Sequence, residues 1–214
     1  MSIQNIYDAV MEYDEESVPK LIQAELDAGT DVRKILDEGL VAALDVIGEQ
    51  FSAGTIFVPE MLMAAEAVQA GLDVLRPLLV ETDAKPVGTV ILGTVKGDLH
   101  DIGKNLVGMM FEGAGFNLID LGTDVDAELF ITTARENNAD IIAMSGLLTT
   151  SMPEMQRAVQ AVREANETST INVKTMVGGP PINEEFAAKI GADGYGMDAP
   201  SAVDRARRFL EVGI

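Results

Sequence analysis

The sequence predicts an α/β fold in two parts, a four-helix bundle followed by a doubly wound parallel sheet of five strands. Apolar residues recur at helical spacing through about residue 80, which predicts the bundle. After about residue 88 short apolar runs alternate with helical stretches. Because that alternation is typical of a parallel sheet with helices on both faces, the second part is expected to be α/β.

Apolar spacing and helix-boundary residues together predict the four helices of the first part. A new helix is expected to start at Asp31 as N-cap, just after Gly29, and another has Pro59 in its first turn. These signals predict helices near residues 2–11, 14–28, 31–50 and 59–80. The apolar positions that define the third helix are Ile35, Leu36, Leu40, Leu44, Ile47 and Phe51.

A polar segment with the sequence ETDAKPVG, residues 81–88, separates the two patterns and is predicted to be the linker. The expected domains are therefore a helical domain, 1–80, and a sheet domain, 89–214. Ligands of such sheets bind beyond the carboxyl ends of the strands, so residues just after each run are the candidates for function. The apolar runs lie at 87–95, 116–122, 140–146, 171–179 and 193–197.

The charge and the rare residue types exclude several classes of function. With 35 acidic and 15 basic residues, the net charge of −20 would repel nucleic acid and anionic membranes. There is no cysteine and one histidine, so disulfides and Cys/His zinc sites are excluded. The start of the chain shows no secretory leader and no run reaches the roughly 20 apolar residues of a membrane span, which predicts a cytoplasmic protein.

The loop after the first strand contains the histidine. A phosphate-binding loop is not supported, because five residues separate Gly97 from Gly103 and Asn105 replaces the usual hydroxyl residue. His100 follows Asp98 by two positions, so the carboxylate can accept one imidazole N–H and fix the ring for metal binding or acid/base chemistry. The alternative is a solvated loop histidine, with an aspartate capping the next helix.

Three short motifs, each after a predicted strand, favour the metal-binding alternative. They are Asp98-Leu99-His100-Asp101-Ile102-Gly103, Ser145-Gly146-Leu147 and Gly178-Gly179. In this order they resemble the signature of vitamin B12-binding domains, which hold the cofactor through a protein histidine on cobalt. The resemblance implies a flavodoxin-like, Rossmann-type sheet and cobalamin as cofactor.

The resemblance also implies a role for each matching residue. His100 would be the lower axial cobalt ligand, Asp98 would be hydrogen-bonded to it, and Ser145 would complete the relay. Gly103 would leave room for the nucleotide tail, and Gly178-Gly179 would allow close approach to the buried benzimidazole. The other implied cofactor contacts are Asp101, Leu147 and Thr149.

The helical part carries its own resemblance, in the segment from Phe51 to Met61. The segment is similar to the cap that covers the upper face of the corrin in these proteins. Phe51 matches the shielding phenylalanine of that cap, and Val58 stands where a leucine is expected. Judged by the residues alone, both would be ordinary core residues of a bundle.

The order of cap and binding domain resembles the corrinoid subunits of methanol, methylamine and glycine betaine methyltransferase systems, and the cobalamin module of methionine synthase. The resemblance implies a methyl carrier that is not catalytic by itself. Co(I) cobalamin would accept a methyl group from a substrate-specific methyltransferase, and methylcobalamin would pass it to a second methyltransferase with a folate or coenzyme M-type thiol as acceptor. A reductive activator of the corrinoid would be a third partner.

Three other interpretations remain to be compared with the carrier. A cobalamin-dependent regulator would need a DNA-binding module, and none is visible in this acidic chain. The small subunit of an adenosylcobalamin mutase would share the signature without the cap. A phosphoacceptor receiver would need an aspartate where the third strand ends in Ser145.

Overall fold

The structure, a computed structural model, describes residues 2–81 and 86–211. It divides into two compact units: one runs to Pro86 and includes Glu112–Gly115, and the other holds the remaining residues from Val87 onward. This boundary falls within the predicted linker, residues 81–88, of which 82–85 lie outside the described residues. The assignment of a function to each domain stays a prediction at this point.

The first unit is helical, as the apolar spacing predicts. Its second helix begins later than predicted because Asp14 Oδ1 accepts a hydrogen bond from the backbone N–H of Ser17 at 3.0 Å, and this turn precedes the helix. The helices are α1 (Ile3–Met11), α2 (Val18–Asp27), α3 (Val32–Ile35), α4 (Ala42–Ser52) and α5 (Val58–Glu81). No helix in the described ranges is long and apolar enough to cross a membrane.

Two of the predicted helix starts are confirmed. The carboxylate of Asp31 accepts a hydrogen bond from the backbone N–H of Lys34 at 3.0 Å, which makes it the N-cap of α3. Pro59 is the second residue of α5, where its fixed φ and missing N–H cost nothing. Both predictions depend on residues at the helix start itself, and the structure agrees with them.

The predicted third helix is continuous but not uniform, because a π-helical segment, Leu36–Val41, joins α3 to α4. A side chain at Gly39, within this segment, would place its Cβ 3.1 Å from Cγ2 of Ile6 on α1. The glycine therefore permits close packing of the wider turn against α1. Apolar periodicity does not predict such a segment, because one extra residue in a turn leaves the pattern on either side intact.

The second unit is a five-stranded parallel sheet with the order β2-β1-β3-β4-β5, which confirms the predicted flavodoxin-like α/β fold. Each strand lies within one of the five apolar runs. The strands are β1 (Thr89–Thr94), β2 (Asn117–Asp120), β3 (Ile141–Ser145), β4 (Lys174–Gly178) and β5 (Gly194–Gly196). The helices are α6 (Ile102–Gly113), α7 (Ala127–Glu136), α8 (Met152–Glu167), α9 (Glu184–Ile190) and α10 (Ala199–Glu211).

The register of the sheet aligns the carboxyl ends of four strands. Thr94 of β1 pairs with Ser145 of β3, Ser145 pairs with Gly178 of β4, and Gly178 pairs with Gly196 of β5. The loops that follow β1, β3 and β4 therefore leave the sheet at the same level. This alignment brings together motifs that are far apart in the sequence.

Candidate cofactor-binding site

The loop between β1 and α6 contains the histidine and is shaped by a tight turn at its start. Gly97 has φ +81°, a left-handed conformation that favours glycine, and the Asp98 N–H donates to the carbonyl of Val95 at 3.2 Å. The loop after β2 supports the turn from the side. Asp124 accepts from the Gly97 N–H at 2.8 Å, and its own N–H donates to the Asp98 carbonyl at 3.1 Å.

Asp98 is the centre of the hydrogen-bond network at this edge of the sheet, and it is fully buried. Its Oδ1 accepts from His100 Nδ1 at 2.7 Å and from the His100 backbone N–H at 3.1 Å. Its Oδ2 accepts from the backbone N–H groups of Leu147 at 2.7 Å and Leu148 at 3.1 Å. Because the hydroxyl of Ser151 also lies 3.0 Å from Oδ2, one carboxylate joins the loops after β1 and β3.

These contacts decide the protonation of Asp98. Burial by itself raises the pKa of the carboxyl group, but hydrogen bonds from the His100 side chain and from the backbone N–H groups of Leu147, His100 and Leu148 lower it more. The pKa of Asp98 is therefore held well below its ordinary value, and the group is ionised at neutral pH. An ionised carboxylate only accepts hydrogen bonds, so the proton of the His100 imidazole lies on Nδ1.

His100 is consequently fixed at three of its four polar atoms. Its N–H and Nδ1 are bound to Asp98, and its carbonyl accepts a hydrogen bond from the hydroxyl of Thr94 at 2.9 Å. The side chain is 52% exposed, and within the described residues Nε2 has no hydrogen-bond partner. Because Nδ1 is bound to Asp98, Nε2 is the ring nitrogen that can offer a lone pair to a metal ion.

The structure does not bring the side chain of Ser145 to Asp98. The Ser145 carbonyl accepts from the Val95 N–H at 3.0 Å, but its side chain makes no hydrogen bond to the part of the chain that the structure describes. Ser151, directly before α8, is the buried serine at Asp98, and its hydroxyl also lies 2.7 Å from the carbonyl of Leu148. The sequence signal for this serine is its position just before a helix that has Pro153 at its start.

The glycines of the predicted site differ in what surrounds them. A Cβ on Gly178 would lie 2.9 Å from the carbonyl oxygen of Gly196, and a Cβ on Gly179 would lie 2.0 Å from that of Gly146. Both glycines are thus required by packing of the chain against itself, and their expected approach to the benzimidazole stays a prediction. A Cβ on Gly103, in contrast, would meet nothing within 4 Å, so open space lies beside this residue.

The remaining candidates in this unit are exposed side chains on the same loops. Asp101 and Thr149 are exposed, and Leu147 is 40% exposed although its backbone is bound to Asp98. Other exposed apolar residues lie on these strand-end loops and at the start of α6, and none of them is among the predicted site residues. These residues are Leu99, Ile102, Leu148 and Met197.

Phe51 and Val58 belong to the helical unit. Phe51 is half-buried near the end of α4, and Val58, the first residue of α5, is 43% exposed. Val58 is therefore not an ordinary core residue. The expected shielding of the corrin by these two side chains stays a prediction.

No group of three or more His, Cys, Asp or Glu side chains in residues 2–81 and 86–211 could hold a metal ion. A metal bound at His100 would therefore need its other ligands from a cofactor. The half-exposed His100 side chain, with Nδ1 bound to Asp98, and the open space at Gly103 leave room for a metal that arrives within a larger cofactor.

Comparison with known proteins identifies that ligand. A model of the B12 binding domain matches residues 88–204, and a second model of a B12 binding domain matches residues 2–76. These matches define a cobalamin-binding protein and confirm the predicted cofactor.

The full-length relatives narrow the class further, and the chain belongs to the family of corrinoid proteins. Trimethylamine corrinoid protein 2 of Methanosarcina acetivorans is 42% identical over 206 residues, which cover 95% of this chain and 94% of the relative. A corrinoid protein of Desulfitobacterium hafniense is 38% identical over 211 residues, 97% of each chain. The predicted family resemblance is confirmed.

Solved structures agree with the fold. A cobalamin-binding protein from Desulfitobacterium hafniense DCB-2 matches with a TM-score of 0.81 at 28% identity, over 98% of each chain. A chain of the methanol:cobalamin methyltransferase complex MtaBC from Methanosarcina barkeri also gives 0.81, at 29% identity, over 98% of this chain and 79% of that one.

Proposed function

We propose that this protein carries a methyl group on cobalamin between two methyltransferases, with His100 as the protein ligand of cobalt. The observation that carries the proposal is the fixed imidazole, whose Nδ1 is bound by the buried Asp98 while Nε2 is left available. The relatives support the carrier function, because they include corrinoid proteins named for trimethylamine and dimethylamine.

When bound, cobalamin supplies a cobalt ion that accepts and releases a methyl group. The residues of the chain would hold this ion. His100 would bind it through Nε2, while Asp98 would keep the proton on Nδ1. Ser151, whose hydroxyl lies within reach of two acceptors, can donate a hydrogen bond to Asp98 or to the carbonyl of Leu148. The exposed apolar side chains on the strand-end loops exclude water around the ligand.

The proposed partners follow from the carrier function. One is a substrate-specific methyltransferase, and the structure of the methanol:cobalamin methyltransferase complex supports such an assembly. The second is a methyltransferase with a tetrahydrofolate or coenzyme M-type acceptor, and a reductive activator restores the corrinoid. The net charge of −20 favours partners with basic docking surfaces. A cytoplasmic location stays a prediction from the sequence.

The proposal is tested by reconstitution with hydroxocobalamin, followed by reduction to Co(II) and electron paramagnetic resonance. With protein labelled with 15N in histidine, the wild-type spectrum is expected to show coupling of cobalt to one 15N nucleus. His100→Ala is expected to lose this coupling, since the benzimidazole of the cofactor carries unlabelled nitrogen. His100 is the one histidine in the sequence, so no other imidazole of the chain can replace it. Transfer of a methyl group to the reduced protein by a candidate methyltransferase then tests the carrier function.

Lys96→Gln is the matched control, because it changes an exposed residue of the same loop for which no cofactor contact is implied. It should keep the imidazole coupling, and circular dichroism should show both variants folded. A wild-type protein that retains no cobalamin, or that gives the same spectrum as His100→Ala, would contradict the proposal.

Gly103→Ala separates cofactor binding from folding. The new methyl group meets no atom of the chain within 4 Å and lies in α6, so the free energy of unfolding of the cofactor-free protein should change by less than about 0.5 kcal/mol. Since we place the nucleotide tail in the open space beside this residue, the dissociation constant of cobalamin should rise roughly tenfold, or about 1.4 kcal/mol. Equilibrium titration measures it, and an unchanged constant would place the tail elsewhere.

A further inference from the structure

We propose that Thr94 is a positioning residue for the cobalt ligand, because its buried hydroxyl holds the peptide carbonyl of His100. The inference rests on the proposed function, since it takes His100 to be that ligand. Thr94 is the last residue of β1 and has no exposed surface. None of the sequence motifs includes it.

Both backbone polar groups of Thr94 are hydrogen-bonded to the loop after β2. Its N–H donates to the carbonyl of Gly122 at 2.9 Å, and its carbonyl accepts from the N–H of Val125 at 3.0 Å. The hydroxyl remains, and it donates to the carbonyl of His100 at 2.9 Å. The bond therefore connects the rigid end of a central strand to the loop that carries the imidazole.

The presence of a hydroxyl in an otherwise apolar strand also indicates that the bond from Thr94 to the His100 carbonyl matters. Val90, Ile91 and Leu92 of the same strand are buried and apolar, and valine has the shape of threonine. A buried hydroxyl costs free energy unless it is hydrogen-bonded. In this strand, the polar atom of Thr94 is compensated by its bond to His100.

The two tethers of His100 come from different parts of the fold. Asp98 holds the N–H and the ring, and it is itself held by the loop after β3. Thr94 holds the carbonyl from β1. With the Asp98 tether alone, the backbone on the carbonyl side of His100 would be free to move, and a shift of its Cα would move the ring. The Thr94 bond removes this freedom, so Nε2 is preorganised for cobalt.

The test compares Thr94→Val, which keeps the shape and removes the hydroxyl, with Thr94→Ser, which keeps the hydroxyl. Since His100 is the one histidine of the sequence, the imidazole signals in a nitrogen-correlated NMR spectrum come from it alone, even without cofactor. Thr94→Ser should retain one sharp Nδ1–H form. Thr94→Val should show broadened or multiple imidazole signals.

In the cobalamin-loaded Co(II) protein, Thr94→Val should lower the equilibrium constant for histidine ligation about fivefold, the factor that corresponds to one net hydrogen bond. Thr175→Val is the matched control, because Thr175 is also a buried strand threonine and donates to Asp193 at 3.0 Å. It should lower the melting temperature and leave the His100 signals unchanged.

A folded Thr94→Val protein with wild-type imidazole signals would overturn the positioning role, and Thr94→Ala provides a second variant without the hydroxyl if the valine variant does not fold. Failure of the wild type to bind cobalamin through His100 would overturn the proposed function instead. The spectra of the cofactor-free protein would still decide whether Thr94 orders the imidazole, so the two failures are distinguishable.

Discussion

Replacing Asp98 with asparagine is expected to lower the free energy of unfolding by about 3 kcal/mol, because a buried acceptor of several hydrogen bonds becomes partly a donor. The amide oxygen can serve the backbone N–H groups of Leu147 and Leu148, but the amide N–H₂ then faces the His100 ring. The imidazole proton should therefore move from Nδ1 to Nε2. That nitrogen would no longer offer a lone pair to cobalt.

Both effects can be measured on the cofactor-free protein. Urea denaturation gives the free energy of unfolding, and nitrogen-correlated NMR of the single histidine gives the position of the proton. Lys96→Gln again serves as the control, with neither effect expected. An Asp98→Asn protein that keeps its proton on Nδ1 would show that the tautomer does not depend on this carboxylate.

The lowered pKa of Asp98 also fixes the direction of the pH dependence. The unfolded chain takes up the proton near the ordinary value of 3.8, while the folded protein takes it up only at lower pH. The contribution of the carboxylate to stability is therefore fully present well above 3.8 and is lost as the pH falls through the folded-state pKa. The stability difference between wild type and Asp98→Asn should be constant near neutral pH and should shrink in acid. A difference that grew in acid would contradict this.

Gly179→Ala is expected to have a larger effect on folding, about 4 kcal/mol or more. Gly179 has φ +126°, which alanine rarely adopts, and the new Cβ would lie 2.0 Å from the carbonyl oxygen of Gly146. Since Gly146 donates its own N–H to the carbonyl of Gly178 at 3.2 Å, relief of the clash must separate the ends of β3 and β4. Urea denaturation of the cofactor-free protein measures the loss.

Gly97→Ala is the control that separates the two causes. Gly97 also has a positive φ, +81°, but a Cβ there would meet no atom within 4 Å. Its replacement should cost only about 1–2 kcal/mol of backbone strain. If both alanine variants were equally stable, the contact with Gly146 would not be the reason for glycine at position 179.

The fold was predictable from sequence because its signals are local. Each strand is a short apolar run followed by a helical stretch, and the parallel arrangement follows from that alternation. The late start of α2 and the π-helical segment at Leu36–Val41 were not predictable. The first depends on a turn bond from Asp14, and the second depends on packing of Gly39 against Ile6.

The site was predictable where partners are neighbours in sequence, as for Asp98 and His100. Its distant parts were not, because the choice between Ser145 and Ser151 depends on which hydroxyl the loop after β3 turns toward Asp98. Thr94 was missed for a related reason. A β-branched residue at the end of a buried strand reads as core, and only the structure shows that its hydroxyl reaches the carbonyl of His100.

The bond between Asp98 and Ser151 joins residues 53 positions apart. As the chain leaves the ribosome, His100 emerges well before the loop whose backbone N–H groups bind and order its aspartate. The imidazole cannot take its final form until the third strand and the residues after it have been synthesised and have paired with the first. We therefore expect cobalamin to bind in the proposed form only after this region has been translated and the sheet has assembled.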